Sequence, residues 1–217
     1  MADDESFREF VTMRWSALVR TAYLMTGDHG RAEDLAQSTL EKVHKHWGRI
    51  SRMESPDAYT RRVMTNLVIS GSRRRRLREI SFARTPDVSA GDTTHDLVER
   101  DEVWQVLREL PPRVRAVMVL RYFEDLSEND IAAALGCSVG TVKSQHSRGL
   151  AKLRDLLERP GTAHRTPPYS THRSPPWKGR ADESAVESMI RDSLARQAAT
   201  GPGAHPDPWA AFQLRER

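Results

Sequence analysis

The stretch Leu126–Arg154, LSENDIAAALGCSVGTVKSQHSRGLAKLR, has the pattern of two short helices separated by an abrupt break. Ser127 is a good N-cap and Asp130 follows three residues later, so the first helix is predicted to start at this pair. Gly136 can adopt the left-handed conformation that ends a helix, and Ser138 can cap a second helix immediately afterwards. The pattern therefore predicts two helices joined by a tight turn.

The second predicted helix separates its apolar residues from its polar ones. Val142, Leu150 and Leu153 recur at helical spacing and are expected to point into a bundle. A tight, glycine-containing turn that holds a second helix clear of the body is the helix-turn-helix arrangement, and that second helix fits the major groove of DNA. Polar side chains on its outer side are candidates for contacts with base edges and phosphates. They are Ser138, Thr141, Lys143, Ser144, Gln145 and Arg148.

Composition limits the remaining possibilities. The chain has 217 residues, of which 38% are hydrophobic, and this modest fraction favours two small units over one large core. The formal net charge of +4 understates the local charge, because Arg73–Arg78 reads RRRRLR. Such a run suits a polyanionic partner. The single cysteine, Cys137, excludes an internal disulfide framework and a cysteine-based zinc site, as expected of a protein in a reducing compartment.

Several classes of protein are not favoured by the sequence. We expect no membrane insertion and a cytoplasmic location, because no apolar run has the length of a membrane span and the first ten residues do not resemble a secretory signal. His44 and His46 are two residues apart and would face different directions on a helix, so no metal is predicted. Without a phosphate-binding loop or a nucleophile motif, no cofactor is predicted and an enzyme is not expected.

Helical periodicity extends over most of the chain, so the predicted fold class is all-α. Phe7–Leu24 forms one amphipathic segment, and Ala32–Trp47 forms the clearest one. Ser55 and Pro56 mark the start of a third helix, which is predicted to point Tyr59, Val63 and Leu67 inward. We predict a helical bundle over residues 7–80, a flexible linker over 81–98, a second bundle over 99–157, and a Pro-rich, mostly disordered tail over 158–217 with a short helix at 182–199.

Three segments resemble one known family. Leu126–Arg154, especially GTVKS and LAKLR, resembles the promoter-reading region four of extracytoplasmic-function (ECF) RNA polymerase sigma factors. RAEDLAQSTLEKVHKHW is similar to region two of the same family, and PDAYTRRVMTNLVISGSRRRR is similar to the promoter-melting segment that follows it. The resemblance covers residues 7–157 in the family's order, and the actinobacterial sigma-E-like subgroup is the most similar. It implies a noncatalytic factor that directs promoter-specific initiation.

The resemblance also implies roles for residues of the first bundle. An acidic helix face would dock on the clamp coiled coil of the largest subunit of core RNA polymerase, and such a face suits an arginine-bearing partner. One face of the third helix would engage the minus-ten element of promoter DNA, while the helix-turn-helix reads the minus-thirty-five element. The polymerase-binding candidates are Glu33, Asp34, Gln37 and Glu41, and the minus-ten candidates are Arg62, Asn66, Ile69, Arg73 and Arg74.

Two other interpretations of the whole chain remain open. A helix-turn-helix regulator could act without polymerase, and a non-DNA adaptor could use its basic run to bind RNA or protein. An anti-sigma protein is a further candidate partner. The tail helix could dock on a partner or on one of the bundles and mask the DNA-binding surface, or it could be a dispensable extension.

Overall fold

The computed structural model describes residues 2–81, 102–158 and 183–200, together with Trp209. All regular structure within these ranges is helical, and the all-α prediction is confirmed. Residues 82–98 of the predicted linker and residues 159–182 of the predicted Pro-rich tail lie outside the described residues. The helices are α1 (Ala2–Thr26), α2 (His29–His44), α3 (Trp47–Ile50), α4 (Pro56–Ser81), α5 (Glu102–Glu109), α6 (Pro112–Tyr122), α7 (Glu128–Leu135), α8 (Val139–Glu158) and α9 (Glu183–Thr200).

Helices α1–α4 form the first unit. The long α1 packs along α2, and the turn between them is fixed by Asp28, whose carboxylate accepts a hydrogen bond of 2.8 Å from the backbone N–H of Arg31. This N-cap satisfies one of the free N–H groups at the start of α2. Trp15 and Trp47 are buried in the core, and the indole N–H of Trp47 donates a hydrogen bond of 2.8 Å to Ser6.

The inward face of α4 is broader than the predicted one. Ser55 caps this helix as predicted, since its hydroxyl accepts a hydrogen bond of 3.2 Å from Ala58 N–H. Tyr59, Val63 and Leu67 pack against the core as predicted but are half-buried, and neighbouring positions are buried more fully. The reason is that α4 packs on α2 and also on helices of the second unit, so the buried face extends toward that second contact. Among the α4 side chains that the structure describes, the buried ones are Thr60, Met64 and Thr65.

Helices α5–α8 form the second unit, and α6 lies at its centre. Pro112 begins α6, a position where its missing N–H costs nothing. The run Ala116–Leu120 is buried without interruption, because α6 has contacts with α1, α4, α7, α8 and α9. A helical stretch that is apolar on all sides, as this run is, needs such a position.

The two units pack directly against each other. The Thr65 hydroxyl of α4 donates a hydrogen bond of 2.8 Å to the Ala134 carbonyl of α7. Arg115 of α6 donates one of 3.2 Å to the Met25 carbonyl near the end of α1. Burial, aided by the charge of nearby Arg108, lowers the pKa of Arg115 to about 10, which leaves its guanidinium charged at neutral pH. The two units are thus held together by buried polar contacts as well as apolar ones.

Helix α9 covers the segment in which a short amphipathic helix is predicted, and it docks on both units. Val186, Ile190 and Leu194 are buried, and Met189 packs beside them. The helix has contacts with α1 of the first unit and with α5, α6 and α8 of the second. A single helix of this length is marginally stable in water, so this docking accounts for its order.

Candidate nucleic-acid interface

The helix-turn-helix has the predicted local geometry. Ser127 caps α7 by accepting a hydrogen bond of 3.2 Å from Asp130 N–H. Gly136 ends α7 in the left-handed conformation, with φ 59° and ψ 45°, where a side chain would be strained. Ser138 then caps α8 by accepting a hydrogen bond of 3.2 Å from Thr141 N–H. Three short-range signals therefore fix where α7 starts, where it ends and where α8 starts, and these predictions are confirmed.

Helix α8 presents its candidate DNA-binding residues on the side away from the core. Val142, Leu150 and Leu153 are buried, whereas His146 is half-buried and its Nε2 lies 2.6 Å from the Tyr122 hydroxyl. The outer face thus offers hydroxyl, amide and cationic groups within reach of solvent. Ser138, Lys143, Ser144 and Arg148 are exposed, and Thr141 and Gln145 are half-buried.

Local contacts hold part of this outer face in place. The Ser138 and Thr141 hydroxyls lie 3.0 Å apart, and Ser144 donates a hydrogen bond of 2.9 Å to the Thr141 carbonyl. Lys143 Nζ lies 3.6 Å from a carboxylate oxygen of Glu128 on α7. Because this ion pair is exposed, it costs little to break, and Lys143 can exchange it for a phosphate.

The minus-ten candidates lie along α4, whose other side packs on the second unit. Arg62 and Asn66 are exposed, and Ile69 is half-buried against the core. Arg73 and Arg74 lie further along the same helix, and their side chains fall outside the described part of the structure. Thr65, adjacent to Asn66, is fully buried by the contact with α7. One side of α4 thus serves packing, while the other presents charge and an amide.

The polymerase-binding candidates share one side of α2. Glu33 and Asp34 are exposed, and Gln37 and Glu41 are half-buried. The opposite side of the helix carries its buried apolar residues, including Ala36, Leu40 and Val43. The structure therefore brings the four together as one polar, mostly acidic face of the first unit, separate from the outer face of α8.

Glu124, between α6 and α7, is a residue that the sequence did not single out. Its carboxylate accepts a hydrogen bond from the buried Thr21 of α1 and lies 3.4 Å from a guanidinium nitrogen of Arg61 on α4. One carboxylate of the second unit thus joins two helices of the first. Nothing local in the sequence marks it, because its partners are 103 and 63 residues away.

His44, which is two residues from His46, has aromatic and polar neighbours within the first unit. The His44 ring stacks on Phe7 with centroids 4.6 Å apart, and its Nε2 lies 3.7 Å from an Asp4 carboxylate oxygen. In the part of the chain that the structure describes, no three His, Cys, Asp or Glu side chains are grouped so as to hold a metal ion. Nor does any helix of this part have the length and apolar character needed to cross a bilayer.

Known families match both units. Residues 11–78 match the sigma-70 region 2 family, and residues 100–153 match the sigma-70 region 4 family. The RNA polymerase sigma-E factor of Streptomyces avermitilis is 41% identical over 152 residues, which cover 70% of this chain and 85% of the relative. That of Streptomyces coelicolor is 39% identical over 157 residues, which cover 72% and 89%.

Two further comparisons agree with these. The ECF RNA polymerase sigma factor SigE of Mycolicibacterium smegmatis is 33% identical over 161 residues, covering 71% of this chain and 62% of the relative. Among solved structures, the sigma factor RpoE of Bartonella quintana, in complex with the anti-sigma factor NepR, matches with a TM-score of 0.55. That match covers 71% of this chain and 99% of RpoE, and at 24% identity it supports the fold alone.

A capped helix-turn-helix with exposed polar groups on its second helix is typical of DNA-binding proteins. The matches to both sigma-70 regions and to the Streptomyces relatives show that the chain belongs to the ECF RNA polymerase sigma factors. It is a transcription initiation factor that binds core RNA polymerase and promoter DNA.

Proposed function

We propose that this sigma factor divides promoter recognition between its two units. The outer face of α8 reads the minus-thirty-five duplex, because it holds hydroxyl, amide and cationic groups on a helix whose inner face is fixed by the core. The exposed side of α4, with Arg62 and Asn66, captures the opened minus-ten strand. The observation that supports this division most directly is the pair of caps at Ser127 and Ser138, which present α8 as a rigid reading helix.

The acidic face of α2 is the proposed contact with the clamp coiled coil of core polymerase. Glu33 and Asp34 are exposed there, and charge-assisted hydrogen bonds to arginine are the interactions that exposed carboxylates of this kind make best. The functional boundaries that we propose are residues 7–80 for the polymerase and minus-ten unit and residues 99–157 for the minus-thirty-five unit.

The protein itself carries out no catalysis in this proposal, since the polymerase makes the RNA, and it acts in the cytoplasm. An anti-sigma protein is proposed as a further partner, because the structurally similar RpoE is in complex with the anti-sigma factor NepR. A helix-turn-helix regulator that works without polymerase is disfavoured by the match of residues 11–78 to sigma-70 region 2.

Reconstitution tests the proposal. The purified chain is mixed with core RNA polymerase, and the DNA that the holoenzyme retains is selected from a random library and then transcribed. We expect a two-part consensus and specific start sites. If the chain enriches DNA without polymerase and directs no transcription with it, the regulator interpretation replaces this one.

A further inference from the structure

Helix α9 is buried along a complete face, although it comes after both units in sequence. Val186 is 1% exposed, and Ile190 and Leu194 are fully buried. Their neighbours Ala195 and Arg196 face solvent, so burial follows the helical period on one side only. Because that side has contacts with α1 and with α5, α6 and α8, separating the two units would expose it to water.

A polar contact ties α9 to the back of the reading helix. The Tyr122 hydroxyl donates a hydrogen bond of 3.0 Å to the Glu187 carboxylate of α9 and lies 2.6 Å from Nε2 of His146 on α8. Tyr122 is buried, and hydrogen bonds in such an environment contribute orientation as well as stability. This end of α9 is therefore fixed to the second unit.

Trp209 provides a second attachment, and it lies on the first unit. Its ring meets Phe7 edge-on, with centroids 6.1 Å apart, and the Arg8 guanidinium carbon lies 5.2 Å from the ring centroid. Aromatic and cation–π contacts of this geometry add to the apolar burial. The C-terminal region thus has contacts on both units, at positions far apart in the sequence.

Promoter geometry requires these units to separate. The minus-ten and minus-thirty-five elements lie about 25 base pairs apart, which is about 85 Å of duplex at 3.4 Å per base pair. In the structure, α4 and α7 are joined by the 2.8 Å hydrogen bond from Thr65 to Ala134, and α8, with 20 residues, is only about 30 Å long. The closed arrangement cannot place both units on their elements at once.

We propose that α9 and Trp209 form an intramolecular strap that holds the two units closed and must leave its site before both promoter elements can be bound together. The outer face of α8 stays exposed with the strap in place, so the strap acts on the spacing of the units and does not mask the reading helix. Because it stabilises the closed state, it lowers the fraction of the protein that is competent for promoter binding. This proposal rests on the division of promoter recognition proposed above.

A matched pair of variants in the full chain tests the strap. Leu194→Asp places a charge in the buried face of α9, and Ala195→Asp places the same charge on its exposed face.

We expect Leu194→Asp to increase the radius of gyration in small-angle scattering. At limiting sigma factor it should raise transcription from a promoter with both elements by about threefold or more, because the open population grows. Binding of the free chain to a minus-thirty-five duplex alone should change less than twofold, because that face is already exposed. Ala195→Asp should match the parent protein in all three measurements.

The outcomes separate failure of the strap from failure of the proposed function. If the Ala195→Asp protein directs no transcription with core polymerase, the proposed function fails. If it is active, and Leu194→Asp opens the protein without raising transcription, or does not open it, the strap is wrong. Glu187→Ala provides a milder variant that introduces no buried charge. Should circular dichroism show that Leu194→Asp loses helix beyond α9, Glu187→Ala decides: a rise in transcription supports the strap, and no change or a fall overturns it.

Discussion

The Thr65 hydroxyl donates a hydrogen bond to the Ala134 carbonyl across 2.8 Å and joins the proposed minus-ten helix to the first helix of the helix-turn-helix. Ala134 lies in the last turn of α7, where carbonyls have no partner within their own helix. Thr65 is fully buried, so water cannot replace it. One side chain of the first unit thus satisfies a helix end of the second.

Thr65→Val keeps the shape of this side chain and removes the donor. We expect the free energy of unfolding to fall by about 1 kcal/mol, because a buried carbonyl loses its partner. Ser70→Ala is the matched control on the same helix, since that exposed hydroxyl donates to the Asn66 carbonyl of its own helix at 2.7 Å. Unfolding in urea measures the change in the free energy of unfolding for both variants. An equal loss in the two variants would mean that the link between the units adds nothing specific.

Gly149 and Gly71 are expected to respond to alanine in opposite directions. A Cβ at Gly149 of α8 would lie 2.6 Å from the Met118 sulfur in the buried contact with α6, whereas a Cβ at Gly71 of α4 would meet nothing within 4 Å. Gly149→Ala should destabilise the protein by about 1–3 kcal/mol through overpacking. Gly71→Ala should stabilise it by up to about 1 kcal/mol, because alanine favours the helix. Urea midpoints for the two proteins check the signs, and a stable Gly149→Ala variant would show that Met118 moves aside freely.

Because of Tyr23, the folding stability of the protein should fall at alkaline pH. Burial raises the pKa of Tyr23 above its usual value, the charge of Arg108 opposes this, and Asp28 adds to it. The folded state therefore favours the neutral phenol. The stability that this preference contributes is fully present below the unfolded pKa of about 10 and is lost as the pH rises through the higher folded value.

Titration of tyrosinate absorbance in the near ultraviolet checks this prediction. Tyr23 should ionise late, and Tyr23→Phe should remove that late step and flatten the loss of stability above about pH 10. If the late step persists in Tyr23→Phe, it belongs to another tyrosine.

Arg148→Ala tests the outer face of α8. Arg148 is exposed, and its loss should weaken binding to the minus-thirty-five duplex by about 1–3 kcal/mol if it reads a base edge, or reduce the salt dependence of binding by about one ion if it contacts a phosphate. Arg191→Ala removes the same charge from the exposed side of α9 and should leave both quantities unchanged. Fluorescence anisotropy at several salt concentrations distinguishes the cases. If the two variants behave alike, Arg148 contributes to DNA binding only through the net charge of the protein.

Asp34→Arg tests the acidic face of α2. Reversing this exposed charge should weaken association with core polymerase by about tenfold or more, because like charges then meet at the proposed clamp contact. Glu9→Arg makes the same charge change at an exposed position of α1 and should bind as the parent does. The measurement is the affinity of the intact chain for core RNA polymerase. Thermal unfolding of each variant checks that it is folded. Undiminished binding by Asp34→Arg would place the docking surface elsewhere.

Caps and short periodic segments were predictable because each depends on residues within a few positions of one another. Ser127, Gly136 and Ser138 fixed the turn of the helix-turn-helix, and the apolar positions of α8 fixed which of its faces is buried. The same logic was incomplete for α4, where Tyr59, Val63 and Leu67 pack against the core but are half-buried, while Thr60, Met64 and Thr65 are buried more fully. A helix that packs on two neighbours has a buried face set by both, and periodicity alone does not reveal the second neighbour.

By itself, the sequence indicated most of the helices, the caps of α4, α7 and α8, and the family, since these follow from local propensity, capping and motif order. The segment predicted as one helix over Ala32–Trp47 instead ends at His44, and Trp47 begins the separate short helix α3. Only the tertiary structure decided that Thr65 and Glu124 join the modules and that α9 lies across both. The physical reason is range: these contacts connect residues dozens of positions apart, and their energy depends on burial and geometry that exist only once the chain has folded.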